Sequence, residues 1–455
     1  MNLFAQRLCP LLLLITAAIG QGQPLFRLSD SDPDSPEFRR RFLASHGVNE
    51  AIEPKLTLED RPLQEAILPH LRDNPREAIA LVEQALTPET NPAFLNILGN
   101  LYYQVEDYAA AERYLRQTLE KFPTLRRAWR TLALCHVQRE RYRDAIEPLL
   151  KVIELGGGDA QSYGLLAYSH LTNEKYESAL AAYRMARMFK PDSLDFRRGQ
   201  AQCLLMTEQH AAAVALFDEL LMESPGETEF WRGQANAFLA LEDYGKAIAN
   251  LEIIADSGKA DWAGLTLLGD LYLNQDAAHL ALATYRRALM ETTPGNWADS
   301  LRPLKYFLQR HLFSEARDYL QILREKTAGK LDQRAARELV VAEAHVEMET
   351  GDAKKARVAL EKVVGEDPLD GASLLLLGEY HQRQPDFEQA EYYFERAASA
   401  PNHEFDARVA LGRLAVDRGD MKGALVPLRA ALRLRASPNV ERYIEAIQRA
   451  IDARR

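Results

Sequence analysis

The chain has 455 residues and a net charge of −10, from 56 Lys and Arg against 66 Asp and Glu. Hydrophobic residues make up 47% and charged residues 27% of it, which is typical of a folded protein and excludes an intrinsically disordered chain. Basic and acidic residues are interspersed, which disfavours nucleic acid as the main partner, because phosphate binding needs a concentrated basic face.

The first 20 residues have the pattern of a secretory signal peptide. Arg7 supplies a basic start, and Leu8 to Ile19 is an apolar run that is shorter than the ~20 residues of a membrane span. Ala18-Ile19-Gly20 places small residues before a cleavage site, so we predict cleavage before Gln21 and export to the periplasm or the medium. An uncleaved anchor or a buried first helix is the alternative interpretation.

Residues 21–57 have a different composition and are predicted to form a partly disordered linker. The run from Ser29 to Pro36 is acidic, small and proline-bearing, with nothing to bury. Glu37 to Ser45, with Phe38, Phe42 and Leu43, is interpreted as a short helix that docks onto the array. Helical patterning starts near Leu58, and Pro69 lies late in the first helix, which predicts a degenerate first unit.

Two columns of small residues recur every 34 positions between Pro92 and Gly295. The first column consists of Ala111, Ala145, Ala179, Ala213, Ala247 and Ala281. The second consists of Gly99, Ala133, Ala167, Ala201, Ala235 and Gly269. A fixed period with helical patterning inside each unit is the signature of stacked helical repeats, and the small residues allow the helices to approach closely.

Each repeat predicts a helix, a turn and a second helix. In the unit that begins at Pro92, the turn falls near Glu106-Asp107 and Pro123 ends the second helix. The order of an aromatic or Leu, then Leu-Gly or Leu-Ala, a large residue, Ala, an aromatic, Ala and Pro resembles the tetratricopeptide repeat, over about residues 59 to 438. The resemblance implies an all-α fold, a right-handed superhelical solenoid of antiparallel helix pairs with about ten to eleven units and a C-terminal capping helix.

The second half of the chain is less regular. Leu304 replaces the small residue, and Thr327 to Lys330 lengthens a connection before the repeats resume at Arg337. We therefore predict an N-terminal array over 58–295, an irregular repeat and joint over 296–336, and a C-terminal array over 337–438. One continuous superhelix with a longer loop is the alternative. Residues 439–455 form an amphipathic helix, interpreted as a cap or, alternatively, as a docking helix for a partner.

No catalytic motif or metal-binding spacing is present in the sequence. Gly156-Gly157-Gly158 is interpreted as a turn between repeats. His136 and His170 occupy the position that Tyr102 and Tyr272 hold in other units, which favours packing in the core over metal ligation. Cys135 and Cys203 lie two repeats apart and are predicted to be buried thiols. We therefore predict no enzymatic activity, no cofactor and no metal.

In the resembling family, the first helix of each unit lines a concave surface. Helical spacing places a set of candidate partner-binding residues on that side: Asn96, Asn100, Tyr103, Arg127, Arg130, Gln161, Tyr168, Arg198, Gln202, Arg232 and Asn236. Arg130, Arg198 and Arg232 share one repeat position, and guanidinium groups suit carboxylates, so the surface suits an extended acidic peptide. Ordinary solvated charges, or pairing with nearby Asp and Glu, is the alternative.

The equivalent surface of the second half is more acidic. Glu338, Glu379 and Asp406 lie there beside Lys305 and Arg413, so one uniform ligand along the whole groove is not expected. The family's clamp for chaperone tails is not carried over, because only Asn100 and scattered Arg residues match it.

The predicted function is a non-enzymatic, exported scaffold that binds a partner protein or an extended acidic peptide. A structural component of an envelope polysaccharide-export or secretion assembly is one alternative. A cytosolic adaptor, if the N-terminus is not a signal, is another. An enzyme with an unrecognised site in 296–336 or in the N-terminal segment is the last.

Overall fold

The computed structural model describes residues 53–453, and all regular structure among them is helical. The predicted signal peptide, most of the predicted linker and the possible helix at 37–45 lie outside the described residues. The chain divides into two compact units, unit 1 over Met1–Asp243 and unit 2 over Tyr244–Arg455. This division falls at a different place from the joint predicted at 296–336, and the domain boundaries drawn from the sequence stay predictions.

Twelve α-helices are described in each unit. Those of unit 1 are α1 Arg61–Ile67, α2 His70–Asp73, α3 Pro75–Gln84, α4 Pro92–Gln104, α5 Tyr108–Lys121, α6 Arg126–Gln138, α7 Tyr142–Val152, α8 Ala160–Thr172, α9 Tyr176–Phe189, α10 Leu194–Met206, α11 His210–Glu223 and α12 Thr228–Ala240. Those of unit 2 are α13 Tyr244–Asp256, α14 Trp262–Asn274, α15 Ala278–Glu291, α16 Leu301–Gln309, α17 Phe313–Thr327, α18 Gln333–Thr350, α19 Ala353–Glu366, α20 Gly371–Arg383, α21 Phe387–Ala398, α22 Glu404–Asp417, α23 Met421–Leu434 and α24 Pro438–Ala453.

The predicted small-residue columns lie in the cores of the units. Ala179 and its five counterparts are fully buried, and so are Ala133, Ala167, Ala201 and Ala235. Where glycine holds the column, an aromatic or Leu side chain fills the space that a Cβ would take: the ring of Tyr285 stands against Gly269, and Leu115 against Gly99. The predicted all-α repeat fold is therefore confirmed, and the small columns set how closely each pair of helices packs.

The turns inside six successive repeats each use an acidic residue in the left-handed region. Glu106 has φ 64°, and the same conformation recurs at one-repeat spacing in Glu140, Glu174, Glu208, Glu242 and Asp276. The following amide N–H, that of Asp107, donates to the carbonyl of Tyr102 five residues back at 3.0 Å. This bond satisfies a free carbonyl at the end of the first helix and reverses the chain into the second.

Irregular segments occur where the sequence departs from the repeat. Pro69 separates α1 from α2, as expected for a degenerate first unit. A π-helical turn over Ile153–Gly157 places Gly156 at φ 79°. In the region of 296–336, a 3₁₀ turn at Trp297–Ser300 precedes the nine-residue α16, and Gly329 adopts φ 70° in the connection to α18.

Helix α24 packs against α23 at the end of unit 2. It buries Val440, Ile447 and Ile451, together with Leu428 of α23. Its remaining faces are polar, which gives the last helix pair a solvated outer surface. No helix within residues 53–453 is both long and apolar enough to cross a bilayer.

Candidate functional site

A groove with a volume of about 1530 Å³ lies within unit 2. It is lined chiefly by α16, α18, α20 and α22, the first helices of four successive pairs. The second helices of these pairs pack behind them and hold the lining helices side by side. The groove is therefore a product of the repeat itself, and side chains at equivalent repeat positions form rows across it.

An aliphatic row crosses the middle of the groove. Val341, Leu375 and Val409 are spaced by one repeat, and each is partly exposed. Ala342 and Ala410 beside them keep the floor shallow and apolar. This aliphatic stripe, Val341–Leu375–Val409, offers a surface for side chains that gain free energy by leaving water.

Ion pairs line one side of the stripe. The Lys305 Nζ atom donates to Oε2 of Glu338 at 2.7 Å, and Arg334 pairs with the same carboxylate at 3.3 Å. Arg337 pairs with Asp367 at 2.5 Å. Partial burial opposes ionisation of Glu338, but the two cations outweigh it and hold the pKa of its carboxyl below the usual range. These acidic groups are already compensated by the protein's own bases.

The other side of the stripe carries a second row of one-repeat spacing, His345, Glu379 and Arg413. Glu379 is partly buried, and this burial raises the pKa of its carboxyl. The guanidinium groups of Arg383 and Arg413 oppose the rise, whereas the carboxylate of Glu349 adds to it. Arg383 pairs with Glu349, so its charge is shared with that carboxylate.

A ring cluster closes the end of the groove near α16. The rings of His311 and Phe313 have centroids 5.7 Å apart, and those of Phe313 and His345 are 5.6 Å apart. Burial lowers the pKa of His345. Because burial disfavours the charged form of His345, its ring extends the apolar surface beside the stripe.

The partner-binding residues predicted from the sequence lie in unit 1, where the arginines have partners. Arg130 pairs with Asp159 at 2.7 Å, and Arg198 pairs with Glu229 at 3.3 Å. Arg127 is highly exposed and pairs with Glu53 at 3.0 Å. The assignment of this face as a binding surface stays a prediction, and for these three residues the geometry matches the alternative of pairing with nearby acids.

The other predicted residues differ in exposure. Asn96 is partly buried, and its Oδ1 atom has no hydrogen-bond partner among residues 53–453. Asn100 accepts a hydrogen bond from the Thr131 hydroxyl at 2.8 Å. Tyr168 stands edge-on to Tyr142 with ring centroids 5.2 Å apart. The remaining members also lie on the first helices of their pairs: Tyr103, which is partly buried, and Gln161, Gln202, Arg232 and Asn236, which are exposed.

The histidines and cysteines that attract attention in the sequence are core residues. His136 and His170 are buried in unit 1, and burial lowers the pKa of both. Cys135 and Cys203 are buried free thiols, and burial raises the pKa of each to about 12. Within the part of the chain that the structure describes, no group of three or more His, Cys, Asp or Glu side chains is placed to hold a metal ion.

Sequence reasoning named several groove residues but missed the aliphatic stripe. A signal for it exists, because Val341, Leu375 and Val409 each stand three residues before the small position of their repeat. Arg130 and Arg198 stand at that same position in unit 1. Comparing one repeat position between the two halves of the chain would therefore have found the stripe.

The comparisons with known proteins agree with this repeat architecture. A family model described as a tetratricopeptide repeat matches residues 98–160, 165–228, 232–296 and 341–404. The comparison with curated proteins finds no significant match.

Several solved structures are similar at low identity. A tetratricopeptide repeat protein from Parabacteroides merdae is 14% identical and aligns over 55% of this chain and 99% of its own, with a TM-score of 0.33. YrrB, described as a repeat protein with an unusual peptide-binding site, is 16% identical over 45% of this chain and 96% of its own, with a TM-score of 0.35. A chain of the APC/C hetero-tetramer Cut9–Hcn1 is 12% identical over 86% of this chain and 96% of its own, with a TM-score of 0.33.

Proposed function

We propose, from the premise that this chain belongs to the tetratricopeptide repeat family, that it is a protein-binding scaffold whose groove in unit 2 holds an extended segment of a partner protein. The family membership rests on a family model that matches more than half of the chain. The groove with its aliphatic stripe is the observation that carries the proposal.

The dimensions of the groove suit a polypeptide better than a small molecule. Its volume of about 1530 Å³ exceeds the roughly 300–1,000 Å³ of ordinary ligand pockets. Four lining helices at a typical spacing of ~8–10 Å span roughly 30 Å. An extended chain rises ~3.3 Å per residue, so about nine residues would cross all four helices.

The chemistry of the lining supports the same choice. An aliphatic floor between charged borders resembles the apolar centre and polar rim of protein interfaces. Alternate side chains of an extended segment would point to the floor, while the others would face the borders or water. Most charges along the borders are already paired within the protein, which limits the cost of removing water from them when a partner binds.

The arginine-bearing face of unit 1 is proposed as a second contact surface for acidic segments. Arg130 and Arg198 would exchange Asp159 and Glu229 for carboxylates of a partner. Exposed ion pairs contribute only ~0–1 kcal/mol, so this exchange loses little free energy. The two surfaces are separable by mutation.

Affinity capture with matched variants tests the proposal. Val409→Asp places a charge on the stripe, whereas Val426→Asp makes the same change at a residue of α23 that is 70% exposed and lies outside the groove lining. We expect Val409→Asp to lose partners that wild type and Val426→Asp retain. Retention of every partner by Val409→Asp would contradict the groove as the binding surface. A third protein, with Arg130→Glu and Arg198→Glu, reports separately on unit 1.

We also propose that the protein acts after export. Arg7, the apolar run from Leu8 to Ile19 and the small residues before Gln21 support cleavage of a signal peptide. Sequencing the N-terminus of the mature protein tests this, and a mature chain that still begins with Met1 would contradict it.

A further inference from the structure

One carboxyl group in the groove of unit 2 lacks a partner. Glu379 faces the groove from the middle of α20 and is partly buried. Within residues 53–453, its side chain receives no hydrogen bond and forms no ion pair. Partial burial weakens the hydration of this carboxylate, so a donor supplied by a ligand in the groove would lower its free energy.

The other acidic groups of the lining are engaged. Glu338, Glu349 and Asp367 pair with Lys or Arg side chains of the groove. The rest also have partners: Asp370 accepts from the backbone of Ser373, Asp406 stands 3.6 Å from Arg435, and Asp417 accepts from Gln382. Among the acidic groups of the lining within residues 53–453, the Glu379 carboxylate is therefore the one that neither accepts a hydrogen bond from the protein nor forms an ion pair. A positively charged group of a ligand can bind it without displacing a donor of the protein.

We propose that the groove recognises an extended segment that presents one basic side chain, Lys or Arg, to Glu379 and an aliphatic side chain to the stripe. This inference rests on the proposed function and specifies its ligand. Leu375 lies one helical turn before Glu379 on the same face of α20, so the aliphatic and basic side chains belong on neighbouring positions of the segment. A Lys or Arg side chain also places its apolar stem along such a floor while its charged end reaches the carboxylate.

The surrounding charges favour a single basic residue over a polybasic run. Arg413 is exposed one repeat beyond Glu379 and has no ion pair within the described residues. Arg383 stands one turn beyond Glu379 on α20, paired with Glu349. Further cations on the ligand would face these guanidinium groups and be repelled. The same groups disfavour a bare metal ion, which would need several convergent oxygen ligands.

Peptide selection on the full-length protein tests the inference. Random twelve-residue peptides are displayed and selected on wild type, Glu379→Gln and Glu379→Lys. Glu395→Lys is the matched control, because Glu395 is exposed on α21 outside the groove lining and the change in net charge is the same. Val409→Asp and Val426→Asp identify which peptides bind in the groove.

We expect the charge of the selected peptides to change only when Glu379 is substituted. Wild type and Glu395→Lys enrich peptides with one Lys or Arg beside an aliphatic residue, and Glu379→Lys enriches acidic peptides instead. Glu379→Gln binds the wild-type peptides about 10- to 100-fold more weakly, as expected for the loss of a hydrogen bond to a charged group. Glu379→Gln removes a partly buried charge and keeps the shape, so it provides a folded variant if Glu379→Lys does not fold.

Two other outcomes overturn different statements. If peptides depend on Val409 but carry the same charges on wild type, Glu379→Gln and Glu379→Lys, the groove binds peptides and the inference about the basic residue is wrong. If no enriched peptide depends on Val409, the groove is not a peptide site, and the proposed function fails together with the inference.

Discussion

Gly378 lies where two helices of one repeat meet, and its replacement by Ala measures how closely they pack. A Cβ atom at Gly378 would stand 2.4 Å from Cε1 of Phe394, whose ring is fully buried. Carbon atoms in contact normally lie ~3.5–4.0 Å apart, so the ring must move by about 1 Å. Overpacking of this kind costs ~1–3 kcal/mol, whereas Ala in place of Gly in a helix gains ~1 kcal/mol. We expect Gly378→Ala to lower the free energy of unfolding by about 0–2 kcal/mol.

A second background separates the two contributions. Phe394→Val deletes the ring atoms that meet the new methyl group and leaves the backbone unchanged. In that background only the gain in helix propensity remains, so Gly378→Ala should stabilise by up to ~1 kcal/mol. A change of sign between the backgrounds is the coupling that a double-mutant cycle detects. Gly365→Ala is the control, because its Cβ would meet no atom within 4 Å.

The assay must resolve parts of a repeat array, since such arrays do not always unfold as one unit. Urea unfolding followed by circular dichroism gives the total change. Hydrogen exchange of the peptides that cover α20 and α21 gives the local change. If Gly378→Ala stabilises wild type as much as Gly365→Ala does, the close approach of Gly378 to Phe394 is refuted.

Two further predictions concern the core and the turns of unit 1. Burial lowers the pKa of His170, so the unfolded chain binds more protons and stability falls as the pH drops below ~6.5. His170→Phe should therefore reduce the loss of stability between pH 7 and 5. Denaturant titrations at several pH values measure this, and an unchanged pH profile contradicts the reasoning. Glu174 adopts φ 58°, which costs an L-residue ~1–2 kcal/mol. Glu174→Gly should therefore raise the urea concentration at the midpoint of unfolding. Ala181→Gly, on the exposed face of α9, should lower this midpoint, because Gly is a poor helix former. A lower midpoint for Glu174→Gly would contradict the prediction.

The packing of the repeats was predictable because it depends on residues that recur in phase. The small positions of Ala179 and Gly269 specify close helix contacts, and the column is visible without any structure. The turn at Glu106 was also placed, but its left-handed backbone was not expected of a glutamate. The left-handed conformation of Glu106 allows the Asp107 amide to donate a hydrogen bond to the Tyr102 carbonyl at the end of the first helix. This is a property of the backbone, and the residue type at position 106 does not indicate it.

The boundary between the two units and the ion pairs on the surface could not be predicted from the repeat period. The 34-residue period runs past Asp243 without interruption, so no local signal marks the end of unit 1. Arg130 meets Asp159 because the connection after Gly157 brings Asp159, the N-cap residue of α8, into reach. Ion pairs between neighbouring repeats depend on such loop geometry, whereas the repeat period reports only the buried positions.

Under the proposed function, the chemistry of one repeat position favours different ligands for the two halves of the chain. In unit 1 the residue three places before the small position is Arg130, Arg198 or Arg232 in three repeats and Asn96 or Gly164 in two others. In three repeats of unit 2 it is Val341, Leu375 or Val409. Val341 and Leu375 pack against the core of unit 2 and also line the groove, whereas Arg130 and Arg198 form ion pairs at the surface of unit 1. A partner segment that pairs with the arginines of unit 1 must carry carboxylates. On the aliphatic floor of the groove in unit 2, those carboxylates would lose their hydration and gain no hydrogen bond in return, which is unfavourable. One ligand of uniform composition therefore does not suit both surfaces, and each should be tested with its own variants and its own peptides.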